Sequence, residues 1–227
     1  EEFDKNSELG CVGGMLNNVY ANELSRIISY AMSSSFGVGS AYFRTGQKEG
    51  FVDTLAFGTY KKDVFDKVGI FDEELVRNQD DEFNFRVTKA GYKILLKRNI
   101  LAKYYVRAAF KKLFKQYFQY GYWKVYVNRK HSTITTFRQL VPLFFVLYLF
   151  IGIISSVFSQ ICFFSFITIL LLYLSLAFIS AFKQTKKLTE ILKVIYSFFI
   201  LHFSYGFGYL LGIIDFFILK VKPRYNK

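Results

Sequence analysis

Cysteine is scarce in this chain of 227 residues. The two residues of this type are Cys11 and Cys162, and the second lies inside a long apolar stretch. Two isolated thiols provide neither a disulfide framework nor a cysteine-rich zinc site. We therefore expect a reducing, cytosolic setting for the polar part of the chain.

Acidic residues are missing from a long central section. After Glu82 the next one is Glu190, while Lys and Arg recur throughout residues 97–130, so the net charge of +13 is unevenly spread. Nucleic acid is one partner of basic segments, but no stacking or groove-reading motif accompanies this one. Basic residues beside apolar segments are typical of the cytoplasmic side of a membrane, where they attract anionic lipid headgroups. We expect membrane lipid as a partner and no nucleic acid.

A secretory signal is also missing. The chain begins at Glu1 without a basic segment and a short apolar core. Because it does not begin with Met, we expect a processed or truncated piece of a longer protein. Its length allows one domain, or one domain with a membrane region.

Long apolar runs fill the sequence beyond Gln139. The run from Leu140 to Phe182 exceeds the roughly 20 residues needed for one span, and polar residues near its middle divide it into a hairpin. The predicted spans are about 140–158, 161–182 and 194–219. Basic residues on both sides of the hairpin favour a cytoplasmic face there. The basic tail lies on the opposite side if all three segments cross, so the number of full spans stays open.

The residues before Gln139 have the periodicities of alternating helices and strands. Helices are predicted at 22–34, 61–68, 79–90 and 108–129, and strands at 51–57, 92–96 and 100–106. The last helix interleaves aromatic residues with lysines, which favours a membrane surface. The small number of strands predicts an α/β layer that is incomplete by itself.

The segment Gln79 to Arg86 (QDDEFNFR) carries the main catalytic candidate. On a helix, Asp80 continues the apolar stripe that contains Phe83, so its carboxylate lies at the helix N-terminus on the buried side. The helix dipole there favours the ionised form, and a partly enclosed carboxylate is a candidate general base. An N-capping role for Asp80 is the alternative. Glu82 and Arg86 lie on another face and are expected to pair.

The sequence from Val52 to Ile94 resembles the acceptor-side half of family-2 glycosyltransferases with the GT-A fold. In that family a small-residue turn precedes a basic pair, followed by a vG.FDE segment, an acidic Glu-Asp-x-Asp/Glu-Leu-x-x-Arg motif and an aGy.i segment. The corresponding residues here are Gly58-Thr59, Lys61-Lys62, Val68 to Glu73, Gln79 to Phe83, Arg86 and Ala90 to Tyr92. Asp80 falls on the family's catalytic base, and Gln79 replaces the usual Glu.

Two further segments are similar to exopolysaccharide and succinoglycan-biosynthesis members of that family. They are Ser33 to Arg44 and the membrane-proximal Gln116 to Lys124. Gln119 and Trp123 keep the spacing of the Gln-x-x-Arg-Trp motif of processive relatives. Tyr122 stands in place of the Arg, which argues against processive synthesis. Packing of the Trp123 indole on a sugar and anchoring at a membrane interface remain alternatives.

The resemblance implies an inverting transfer from a nucleotide-diphospho-sugar, with Asp80 deprotonating the acceptor hydroxyl. The candidate substrate-binding residues are Asp53, Gly58, Thr59, Asp81, Gln119 and Trp123. The family's Mg²⁺ or Mn²⁺ is held by an Asp-x-Asp motif, which does not occur in this sequence. No metal ligand is therefore assigned in this chain, and we expect it to be inactive alone.

The predicted fold is α/β. Residues 1–107 are expected to form the acceptor-side part of a GT-A (Rossmann-like) domain, 108–139 a basic aromatic interfacial helix, and 140–227 the transmembrane region. We expect a glycosyltransferase that builds a surface or exported polysaccharide on a lipid-linked acceptor, at the cytoplasmic face of a bacterial membrane. The alternative is a non-catalytic membrane subunit or scaffold. For His202 and Asp215, close helix packing is expected rather than catalysis.

Overall fold

The computed structural model describes residues 1–224, which form two compact units. The first unit contains residues 1–19 and 40–105, and the second contains 20–39 and the described residues from 106 onward. The chain therefore leaves the first unit after Val19 and returns to it at Ser40. The predicted domain boundaries do not anticipate this excursion.

The helices and strands follow one another in a mixed order. In chain order they are α1 (Glu2–Lys5), β1 (Leu9–Val19), α2 (Glu23–Met32), α3 (Ser35–Val38), α4 (Tyr42–Thr45), β2 (Gly50–Val52), β3 (Thr59–Tyr60), α5 (Lys62–Val68), α6 (Gln79–Lys89), β4 (Lys93–Tyr105), α7 (Phe110–Lys130), a 3-10 turn (Phe137–Leu140), α8 (Val141–Ser156), α9 (Gln160–Phe182), α10 (Leu188–Ile213) and a π-helical turn (Ile214–Ile218).

The first unit is built on a four-stranded mixed sheet in the order β2-β4-β1-β3. The long strands β1 and β4 run parallel, and the short strands flank them in antiparallel pairing. The two strands predicted at 92–96 and 100–106 are one strand, β4. Its register against β1 shifts between Gly14 and Met15, which skips residues 98–100. A Cβ at Gly14 would collide with the Ile100 carbonyl, so this glycine admits the bulge.

The core of the first unit joins both long strands to α5 and α6. Its buried side chains are Cys11, Leu55, Val64, Phe83, Val87 and Ile94. Phe83 is fully buried on α6, as the predicted apolar stripe requires. The predicted strand at 51–57 is shorter than expected, because β2 ends at Val52 and residues 53–58 form a loop.

The second unit contains three helical segments that are long and apolar enough to cross a membrane. They are Phe137–Ser156, Gln160–Phe182 and Leu188–Ile218, so the predicted hairpin and third segment are confirmed as helices. Only 11% and 6% of the apolar windows of α8 and α9 are buried in the protein, against 50% for α10. The hairpin therefore exposes apolar surface to its surroundings, whereas α10 is half covered by other parts of this unit.

Helix α7 provides much of that cover. A Cβ at Gly121 would collide with the Tyr205 carbonyl, and a Cβ at Gly208 would collide with the Phe118 carbonyl. The α7 and α10 backbones are thus in direct contact at these two glycines, which is the close packing expected near His202 and Asp215. The interfacial location of α7 stays a prediction.

The excursion of residues 20–39 also packs on α10. Helix α2 begins with a capping box at Asn22 and buries Ile27, Ile28, Ala31 and Met32 completely. Its Arg26 donates to Glu190 at 3.0 Å. Further along, the His202 Nε2 lies 2.8 Å from the Phe36 carbonyl oxygen. His202 therefore has a packing role within this unit.

Candidate active site

Helix α6 places Asp80 in its first turn. The residue before the helix, Asn78, adopts a left-handed backbone with φ of 63° and occupies the N-cap position. Asp80 is the second helical residue. The N-capping alternative for Asp80 is therefore wrong, since another residue holds that position.

The Asp80 carboxylate is half-buried. Among residues 1–224, it accepts no hydrogen bond and forms no ion pair with a basic side chain. Burial raises the pKa of Asp80 above its ordinary value, and the neighbouring charge of Asp81 raises it further. The helix terminus was expected to favour the ionised form, whereas burial and the Asp81 charge disfavour it in this structure.

Cys11 and Tyr60 lie close enough to Asp80 to feel its charge. They face each other across the β1–β3 pair. Burial, with a smaller contribution from the Asp80 charge, raises the pKa of Cys11 to about 12. Burial likewise raises the pKa of Tyr60, with contributions from Cys11 and Asp80. The thiol and the phenol therefore keep their protons near neutral pH.

Asn84 lies one helical turn beyond Asp80 and is fully buried. Its Oδ1 accepts from the Tyr60 hydroxyl at 2.7 Å. Its Nδ2 donates to Thr54 Oγ1 at 2.9 Å and to the Leu55 carbonyl at 2.8 Å. The sequence reasoning missed this residue, although a polar side chain at the i+4 position from Asp80 was a signal for it.

The loop of residues 53–58 connects β2 to β3 and carries two of the predicted binding positions, Asp53 and Gly58, and a third, Thr59, begins β3. Asp53 and Thr59 are exposed, and Thr59 lines a cavity of about 210 Å³ together with Phe57. Phe57 has a φ of 58°, which is unusual for a residue with a side chain. A Cβ at Gly58 would collide with the sulfur of Cys11. Gly58 therefore permits the loop to pack on the sheet.

Arg86 fixes the connection between α5 and α6. It pairs with both oxygens of the buried Glu82 carboxylate at 2.8 and 2.9 Å, which confirms the predicted pairing. The same guanidinium donates to the carbonyl oxygens of Val68 at 2.5 Å and Ile70 at 2.8 Å. Arg86 thus ties the preceding loop to the helix that carries Asp80.

The remaining candidates lie in two places. Asp81 follows Asp80 on α6 and is half-buried. Gln119 and Trp123 belong to α7 in the second unit and are only 2% and 1% exposed. In this structure the Trp123 indole is enclosed by protein, with its ring edge-on to Tyr126, and has no face open to a sugar or a headgroup.

A metal site of the implied kind is not formed by the residues described here. Among residues 1–224, no three His, Cys, Asp or Glu side chains are grouped so that they could hold a metal ion. The described residues do not provide a ligand set for the Mg²⁺ or Mn²⁺ that the resemblance implies. The metal stays a prediction.

Comparison with known proteins gives two similar sequences, and no family model matches the chain. The chain is 34% identical over 125 residues to the dolichyl N-acetyl-alpha-D-glucosaminyl phosphate 3-beta-D-2,3-diacetamido-2,3-dideoxy-beta-D-glucuronosyltransferase of Methanococcus voltae, which covers 54% of this chain and 38% of that protein. It is 30% identical over 128 residues to the succinoglycan biosynthesis protein ExoA of Rhizobium meliloti (strain 1021), which covers 56% of this chain and 39% of that protein.

The chain thus aligns with less than half the length of each of these curated relatives. Both similarities support the resemblance to family-2 glycosyltransferases and to proteins of polysaccharide biosynthesis. The three apolar helices support a membrane protein.

Proposed function

We propose that the protein to which this chain belongs is a membrane-bound glycosyltransferase. It moves a sugar from a nucleotide-diphospho-sugar to a saccharide acceptor, with inversion at the anomeric carbon. The observation that carries this proposal is the half-buried Asp80 carboxylate, which has no ionic or hydrogen-bonding partner within residues 1–224. The glucuronosyltransferase among the relatives supports the reaction class.

The chain's own contribution to the reaction is the removal of a proton. Asp80 takes the proton from an acceptor hydroxyl, whose oxygen forms a bond to the anomeric carbon. The bond between that carbon and the nucleotide diphosphate breaks on the opposite face, and the diphosphate leaves with the electron pair. A carboxylate whose pKa is raised by burial is a stronger base than an exposed one, so the site favours this step.

The acceptor is proposed to be lipid-linked, in the synthesis of a surface or exported polysaccharide. The name of the Methanococcus voltae relative contains a dolichyl phosphate saccharide, which is a lipid-linked acceptor. The start of α7 supports a location at an anionic membrane surface, because Arg107, Lys111, Lys112 and Lys115 are all exposed. We place the reaction at the cytoplasmic face of a bacterial membrane.

The test is a transfer assay with the full-length protein in its membranes. Radiolabelled nucleotide-sugars are supplied as a panel, with a lipid extract of the source membranes as the acceptor. We expect label to appear in extractable lipid-linked saccharide. We also expect the rate to fall as the pH drops through the pKa of Asp80, at a higher pH than for an ordinary aspartate, because only the ionised form accepts the proton. Failure to label any lipid with any donor would favour the scaffold alternative.

A further inference from the structure

We propose that Asn84 is a positioning residue of this site, which fixes the loop of residues 53–58 and the Tyr60 hydroxyl relative to Asp80. The inference rests on the proposed function, because it concerns how the acceptor meets the base. Asn84 itself touches no reacting atom and acts through the groups that it holds.

The side-chain amide of Asn84 forms its three hydrogen bonds with groups outside α6. Its two N–H groups reach Thr54 and the Leu55 carbonyl, and its oxygen reaches Tyr60. A buried amide is costly unless it is paired, and these three partners satisfy it. Thr88, on the same helix, shows the contrasting case, since its hydroxyl donates only to helix carbonyls of residues 84 and 85.

The position of Asn84 relates these contacts to the base. Residues four apart on a helix lie on the same face, so Asn84 stands directly beside Asp80. The amide therefore holds the loop against the face of α6 from which the Asp80 carboxylate projects. A misplacement of about 1 Å at a reacting group is enough to cost roughly 100-fold in rate, so a fixed loop matters for the acceptor hydroxyl.

The bond to Tyr60 has a second effect. Because the Tyr60 hydroxyl donates to Asn84 Oδ1, its proton is not available to Asp80. A hydrogen bond donated to a carboxylate stabilises the charged form and weakens it as a base. Asn84 thus holds the proton of Tyr60, a phenol near enough to Asp80 to feel its charge, and in this way keeps Asp80 basic.

The decisive variant is Asn84→Ala, assayed in the full-length protein with the donor that labels the lipid extract best. We expect a loss of roughly 10-fold or more in kcat/KM for the lipid-extract acceptor, with the donor KM within about twofold of wild type. We also expect the acidic limb of the rate profile to move to lower pH, since the freed Tyr60 hydroxyl can donate to Asp80. Adding Tyr60→Phe should return that limb toward its original position.

Thr88→Val is the matched control, because it removes a hydroxyl from the same helix without touching the loop. It should leave both kinetic constants and the pH profile unchanged. If Asn84→Ala does not fold, Thr54→Val removes one of the three bonds and should still raise the acceptor KM alone.

Two results would overturn the inference. One is an Asn84→Ala protein with wild-type kinetics. The other is an Asn84→Ala protein in which the donor and acceptor KM change equally and the acidic limb of the pH–rate profile does not move, because that result indicates a structural role. The proposed function is tested separately by Asp80→Asn in the same assay. Full activity of the Asp80→Asn protein would contradict the proposed function. If Asp80→Asn loses activity and Asn84→Ala has no effect, only the role of Asn84 is contradicted.

Discussion

One half-buried carboxylate of the first unit differs from the buried carboxylates of the second unit in its lack of a partner. In the second unit, Glu190 pairs with Arg26 at 3.0 Å, and Asp215 accepts from the Tyr122 hydroxyl at 2.7 Å. In the first unit, the Asp80 carboxylate has no such partner within residues 1–224. Even on the same helix the contrast holds, because the Glu82 carboxylate is neutralised by its arginine.

Burial alone therefore does not identify the reactive group. A buried charge without a partner costs free energy, and a fold keeps such a group where its chemistry is needed. The paired carboxylates are explained by the structure that they stabilise. Within residues 1–224 the Asp80 carboxylate has no hydrogen bond or ion pair, which supports the proposed role as a base.

The largest effect should follow the substitution Asp80→Asn. We expect transfer to fall by roughly 10²–10⁴-fold, the usual contribution of a general base. The melting temperature of the detergent-solubilised protein should stay equal or rise. Since the folded pKa of Asp80 is raised, the neutral form favours folding, and this stability is lost as the pH increases through that pKa. A neutral Asn removes the penalty.

Asp66→Asn, on the exposed side of α5, is the control for that experiment and should change neither property. A marked fall in melting temperature for Asp80→Asn would show that the carboxylate has a structural partner. The contrast between the two units would then disappear.

The opposite result is expected for Arg26→Met in the second unit. Glu190 would remain buried with Thr185 and Lys187 as its remaining polar neighbours. The melting temperature should fall by several degrees, because a buried charge loses its main partner. The double variant with Glu190→Gln should recover most of the loss. No recovery would mean that the Arg26 side chain stabilises the unit through packing alone.

The smallest effect should come from Tyr122→Phe. The hydroxyl donates to Asp215, but Arg224 also lies 3.4 Å from the same carboxylate and would remain as its partner. We expect a loss of about 1 kcal/mol in unfolding free energy, measured by thermal or denaturant unfolding in detergent. Tyr196→Phe, with an exposed side chain on α10, is the control and should be neutral.

Local patterns were sufficient to predict much of the architecture. The helices α6 to α9 follow from apolar periodicity, charge breaks and polar interruptions, and their observed ends lie near the predicted ones. Strand β1 was not predicted, because its first eight residues are buried on both faces and show no alternation. The apolar run Leu9–Val19 also contains two adjacent glycines, which weaken any strand signal.

The features of the site that depend on residues close in sequence were predictable. The features that depend on tertiary contacts were not. The pairing of Glu82 with Arg86 follows from their spacing of four residues. The bonds of Asn84 reach Thr54, which is 30 residues away, so no local pattern contains them. The raised pKa of Asp80 likewise comes mainly from burial. Burial depends on tertiary contacts, so the position of Asp80 at a helix N-terminus could not predict it.

The excursion of residues 20–39 determines how this protein can be divided for recombinant expression. A water-soluble fragment that ends at residue 107 would still contain α2, whose Ile27, Ile28 and Met32 are buried and which packs on α10 of the same unit. In isolation these side chains would meet water and promote aggregation. A soluble fragment therefore needs substitutions on that helix as well as removal of the spans, whereas detergent extraction of the whole chain keeps the helix covered.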